Sequence, residues 1–118
     1  MRINWKSSLE GVIIIIPLIA CAPVVTVTPL GAERTYSPTP DSVAVPLYSV
    51  AKPECPYDEI AAISAQGSTA SKVLPALRRK ARALGGEAII GYTRSRHESG
   101  DDVESGTAIH FRSRDCAK

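Results

Sequence analysis

Aromatic side chains are scarce in this chain. One Phe and one Trp accompany four Tyr, and the Trp stands at position 5. So few rings exclude a platform on which successive nucleic-acid bases stack. An excess of one charge is missing too. Fourteen Lys and Arg against 12 Asp and Glu leave a net charge of +2, without the concentrated basic footprint of a nucleic-acid binder. Long apolar runs are also lacking. Val12 to Ala20 covers nine residues, whereas a membrane-spanning helix needs about 20. Cysteine is limited to Cys21, Cys55 and Cys116, so no Cys-x-x-Cys motif exists. The His-Glu-x-x-His, Walker and Gly-x-Ser-x-Gly patterns are absent as well. A hydrolytic role for His97 or His110 would require a paired nucleophile, and the expectation is a protein that is not an enzyme. At 118 residues the chain has room for one domain.

What the chain does have is an ordered N-terminal signal. Arg2 and Lys6 supply a positive start, Val12 to Ala20 an apolar run, and small Ala20 then precedes Cys21. Leu18-Ile19-Ala20-Cys21 reads as a lipobox, the tetrad that ends the signal peptide of bacterial lipoproteins. That resemblance implies a lipidated Cys21 as the mature N-terminus, anchored by the two or more acyl chains that stable attachment takes. The only cofactor expected is this covalent lipid. Removing residues 1–20 takes Arg2, Lys6 and Glu10 with it, leaving a net charge of +1. Residue 22 is Ala and not the Asp that retains enterobacterial lipoproteins at the inner membrane. The expected location is therefore the periplasmic face of the outer membrane.

Residues 21–42 read as the lipidated Cys and a flexible tether. Pro23, Pro29, Pro38 and Pro40 punctuate this stretch, and proline lacks the backbone donor that a helix or central strand requires. Such a linker reaches ~65 Å if fully extended, enough to hold a domain clear of a bilayer. Val24-Val25-Thr26-Val27 has strand-like composition but is read as part of this linker, with a short edge strand on the domain as the alternative.

Residues 43–118 read as a small α+β domain of order ββαββ, one helix on a mostly antiparallel sheet. Alternation over Ser42 to Val50 predicts a first strand, which Pro46 confines to an edge. Tyr57 to Gln66 predicts a second. Ser68 to Leu84 predicts a helix with Leu74, Leu77, Ala81 and Leu84 as its apolar stripe, Pro75 in its first turn and Gly85-Gly86 as its stop. Arg78, Arg79, Lys80 and Arg82 read as its solvated face. Glu87 to Arg96 and Gly106 to Ser113 predict a hairpin across a turn at residues 97–102.

Cys55 and Cys116 would share an oxidising compartment. One intramolecular bridge is the expected pairing; two free thiols or an intermolecular bridge are the alternatives. His97, Glu98, Asp101, Asp102 and Glu104, with His110 nearby, form the densest set of candidate cation ligands. Their spacing matches no standard geometry, so no metal is expected, and His97, Asp101, Asp102 and His110 remain weak candidates.

Several landmarks carry a further resemblance: Leu47-Tyr48-Ser49, Tyr57-Asp58-Glu59-Ile60, Lys80 to Gly86, Glu87-Ala88-Ile89-Ile90-Gly91 and Ser105 to Ile109. The stretch from Val45 to Ile109 resembles the ββαββ domains of the YbjQ-like family, whose name is tied to heavy metals. It is similar also to the sensor lipoproteins of the Rcs envelope-stress phosphorelay. The resemblance implies an envelope-sensing or protein-interaction module with protein partners in the envelope. A small-ligand or metal-binding domain, with the capacity to oligomerise, is the alternative.

Overall fold

The sheet is built outward from its longest strands. The structure, a computed structural model, describes residues 22–31 and 35–116. The signal peptide expected at 1–20 and the lipidation expected at Cys21 lie outside the described residues. Strand β1 spans Val24–Pro29, β2 Leu47–Tyr48, β3 Tyr57–Gly67, β4 Ala88–Arg96 and β5 Asp102–Phe111; the helix α1 spans Ala70–Ala83. The five strands lie in the order β1-β3-β5-β4-β2. All neighbours are antiparallel except β2, which runs parallel to β4. The α+β class is as expected, with one helix on a mixed sheet.

One face of the sheet carries α1. Ala61, Ile63 and Ala65 of β3, Ile89 of β4 and Ala108 of β5 are buried against Val73, Leu77 and Ala81 of the helix, with Val25 and Val27 of β1 at the margin. A second, smaller cluster of Ala88, Ile90, Ile109 and Phe111 is covered by Tyr48, Tyr57, Cys55 and Cys116. Cys55 and Cys116 are joined as a disulfide, with Cα atoms 6.1 Å apart. The staple closes a loop that the chain-entropy model values at about 4 kcal/mol.

The helix ends as its sequence suggests. Gly85 takes a positive φ of 87°, its amide bonds the Arg82 carbonyl, and the Gly86 amide bonds the Ala81 carbonyl. These are the two reversed bonds of a Schellman cap. The helix begins at Ala70, after Thr69, whose side chain makes no capping bond. Pro75 lies inside the helix and not in its first turn as expected, on the exposed side, where a missing donor costs least.

Three expectations need correction. Within the expected tether, residues 24–29 and 36–42 are not free chain. Val24 to Pro29 pair with Gln66 to Ala61 along the edge of β3, because Pro23 and Pro29 bracket the strand and do not interrupt it. Tyr36 to Pro46 is also packed down: the Thr39 amide donates to the Arg82 carbonyl at 2.8 Å, the Thr39 hydroxyl to Gly86 O at 2.9 Å, and Val45 is a core residue. The domain thus starts near residue 24, not 43. Second, the first strand of the expected domain shrinks to two residues after Pro46. Third, the basic helix face is not wholly solvated. Arg78 Nε donates to Val45 O and Arg82 Nε to Val43 O, each at 3.1 Å, clamping the 43–45 segment to the helix.

At Gly106, β5 lies close against β4. A Cβ there would stand 2.4 Å from Ile89 Cγ2 and 3.0 Å from Ile90 O. Gly106→Ala is expected to cost about 1–3 kcal/mol through overpacking, read as a lower urea midpoint with unchanged slope. A variant as stable as the parent would contradict this packing.

Candidate functional site

Antiparallel pairing gives the molecule two ends. At the hairpin end, β1 and α1 begin, β3 finishes, and β4 turns into β5 through residues 97–101. Gly100, with a φ of 93°, makes that turn, and the His97 amide bonds the Asp101 carbonyl at 2.8 Å. At the disulfide end lie the helix C-terminus, the start of β4 and the Cys55–Cys116 bridge.

The carboxylates expected in a solvated turn are in fact part of β5. Asp102 and Glu104 are 3% and 2% exposed, and each finds a partner across the strand pair. Arg96 Nε donates to Asp102 Oδ1 at 3.4 Å, with Arg94 a further 4.0 Å ion-pair neighbour. The Tyr92 hydroxyl donates to Glu104 Oε1. Tyr92 reaches this position because Gly91, with a φ of 62°, absorbs the register shift between Ile90 and Thr93. Burial, then the hydrogen bond and charge of Glu104, push the Tyr92 hydroxyl up to about 12. Asp101 accepts from Gln66 Nε2 at 3.2 Å, and His97 is exposed.

The disulfide end holds a second polar cluster, assembled from distant parts of the chain. Arg114 makes a two-pronged contact with Glu87, at 2.8 and 2.9 Å, and also donates to the Phe111 carbonyl. Glu87 in turn accepts from the Phe111 amide at 2.9 Å. Burial alone would raise the Glu87 carboxyl; the Arg114 bond, the Phe111 amide and nearby His110 outweigh it and hold the group below its ordinary value. The His110 ring lies 4.2 Å from the Tyr36 ring. Its Nδ1 is 3.0 Å from the Gly85 carbonyl, an acceptor, so Nδ1 carries the proton and Nε2 faces Arg114 as acceptor, at 3.3 Å. Tyr36 and Arg112 both donate to Asp58, each at 2.9 Å.

The weak cation candidates are therefore not brought together. His97, Asp101 and Asp102 lie at the hairpin end, with Asp102 taken up by arginines; His110 lies at the other end of β5. Among the described residues no cluster of three His, Cys, Asp or Glu side chains has the geometry to hold a metal ion. Sequence reading missed the Tyr36–Asp58–Glu87–His110–Arg112–Arg114 cluster, since most of its hydrogen bonds join residues 22 to 54 positions apart and leave no local pattern. The Tyr92–Glu104 pair was missed because Glu104 stands before Gly106, where the predicted strand begins, while the observed strand starts at Asp102.

A group held protonated more tightly in the fold than in the open chain stabilises the fold while it stays protonated. The Tyr92 contribution is complete below pH 10 and is lost as pH rises toward about 12. Tyr92→Phe is expected to cost about 1–3 kcal/mol at neutral pH by leaving Glu104 without its donor, and to flatten the alkaline loss of stability. Urea unfolding from pH 8 to 12 checks both; parallel curves for the two proteins would contradict the assignment.

No family model and no curated protein sequence matches this chain. Among solved structures, the chain is similar to the crystal structure of the Francisella virulence factor FvfA in its orthorhombic form. The identity is 17% and the TM-score 0.57, over 77% of this chain and 99% of that one. This likeness is one of fold.

Proposed function

We propose that the chain is a lipid-anchored lipoprotein of the bacterial cell envelope, whose small α+β domain is a protein-interaction or sensing module without catalysis. The observation that carries this is the order of Arg2 and Lys6, the nine-residue run Val12 to Ala20, and Cys21 directly after a small residue. The Cys55–Cys116 bridge supports it, since disulfides persist in oxidising compartments. Ala22 favours the outer membrane, on its periplasmic face. The first partner is then the membrane, through the lipid, and further partners are envelope proteins. The organisation is a signal peptide over 1–20, lipidated Cys21, and a domain that begins almost at once.

The histidine arrangement favours a structural over a chemical role. His110 is held by the Gly85 carbonyl, Arg114, Glu87 and the Tyr36 ring, with no hydroxyl or free thiol hydrogen-bonded to its imidazole among the described residues, and the two domain sulfurs are bonded to each other. No specific observation favours the metal-binding reading. Among the described residues, no helix is long and apolar enough to cross a membrane.

Protein extracted from native membranes is expected to have the mass of a chain starting at an acylated Cys21. Cys21→Ser is expected to lose the acyl mass and the cleavage that follows it. A parent protein that retains Met1 and carries no lipid would overturn the anchor.

A further inference from the structure

The anchor and the sheet are almost adjacent in the chain. Only Ala22 and Pro23 separate Cys21 from Val24, which pairs with Gln66 at the hairpin end. Three peptide steps span at most ~11 Å. The ten residues of β5 cover ~30 Å between the two ends. A lipid on Cys21 therefore cannot hold the domain away from the bilayer, and it cannot reach the disulfide end.

We propose that the domain stands end-on against the membrane, its hairpin end among the headgroups and its disulfide end facing the periplasm. This rests on the lipid-anchor reading above. The occupant of the hairpin end is then the surface of anionic glycerophospholipids, and the charges there suit phosphate. The side chains of Arg94 and Arg96 are 56% and 68% exposed, while their partner Asp102 is 5% exposed, so the cations lie outermost. Glu104 is buried under Tyr92, and Asp101 is held by Gln66. Lys72 borders the same end beside Ala22 and Pro23, and the first turn of α1 carries no acidic residue. Glu98, exposed in the turn, and half-buried Asp101, which borders this end together with Lys72, are the opposing charges. Val24, 65% exposed, adds an apolar side chain next to the anchor. The orientation leaves the Tyr36–His110–Glu87–Arg114 cluster as the surface presented farthest from the membrane.

The test uses the full, natively lipidated chain in vesicles of phosphatidylethanolamine and phosphatidylglycerol. A fluorophore is placed in turn at Ser99→Cys in the hairpin and at Ser37→Cys beside Gly85, both exposed positions. Lipids with a nitroxide on the headgroup should quench the Ser99 probe several-fold more than the Ser37 probe. A long Gly-Ser insertion between Ala22 and Pro23 should abolish the difference while leaving the protein on the vesicles. Equal quenching at both sites in the parent chain, with the acyl mass present, would overturn the orientation and leave the anchor standing. An unacylated mass would overturn both.

Discussion

Close approach between α1 and the sheet is the constraint on which the rest of the structure depends. The residues between them are small: Ala61, Ala65, Ala81 and Ala108 are all at most 2% exposed, and a Cβ on Gly86 would lie 3.2 Å from that of Ala108. With so little bulk at the contact, Ile63, Val73, Leu77 and Ile89 fill the remaining space at close packing. One short helix cannot cover both faces of five strands. The second cluster, around Ile90, Ile109 and Phe111, is sealed by tyrosines and the disulfide. For a domain this small a covalent staple substitutes for a missing layer.

Much of the charge on the molecule serves to hold chain segments in place. Arg78 and Arg82 bind the 43–45 segment, Arg114 ties the C-terminal turn to Glu87, and Arg112 joins Asp58 across β3 and β5. Such exposed pairs add little stability individually; their value is positional. The result is a sheet whose edge strand β1 is continuous with the membrane anchor proposed at Cys21, so that the orientation of the whole domain follows from one strand pairing.

The sequence made the helix, its glycine stop, β3 and the β4–β5 hairpin legible, since periodicity and turn residues report local structure directly. It concealed β1 because four prolines over residues 23–40 suggested a linker, although two of them only mark strand ends. It concealed the first half of β5 because Asp102 and Glu104 look like turn residues until Arg96, Arg94 and Tyr92 are seen opposite them. The cluster at the disulfide end was illegible for a different reason: Tyr36, Glu87 and His110 are neighbours only through the register of the sheet and the turn at Gly85. The cysteine pairing was legible as the expected intramolecular bridge, and the strand ends bring Cys55 and Cys116 together.

The pairing of β1 with β3 carries the account, because it turns the expected tether into part of the domain. Hydrogen–deuterium exchange over residues 24–29 tests it most directly. The account predicts that the β1 amides bonded to β3 exchange orders of magnitude more slowly than unstructured chain, with protection approaching that of β3 itself. Exchange across the whole of 24–29 at the rate of an unstructured peptide would contradict it, and would return this segment to the role of a free tether.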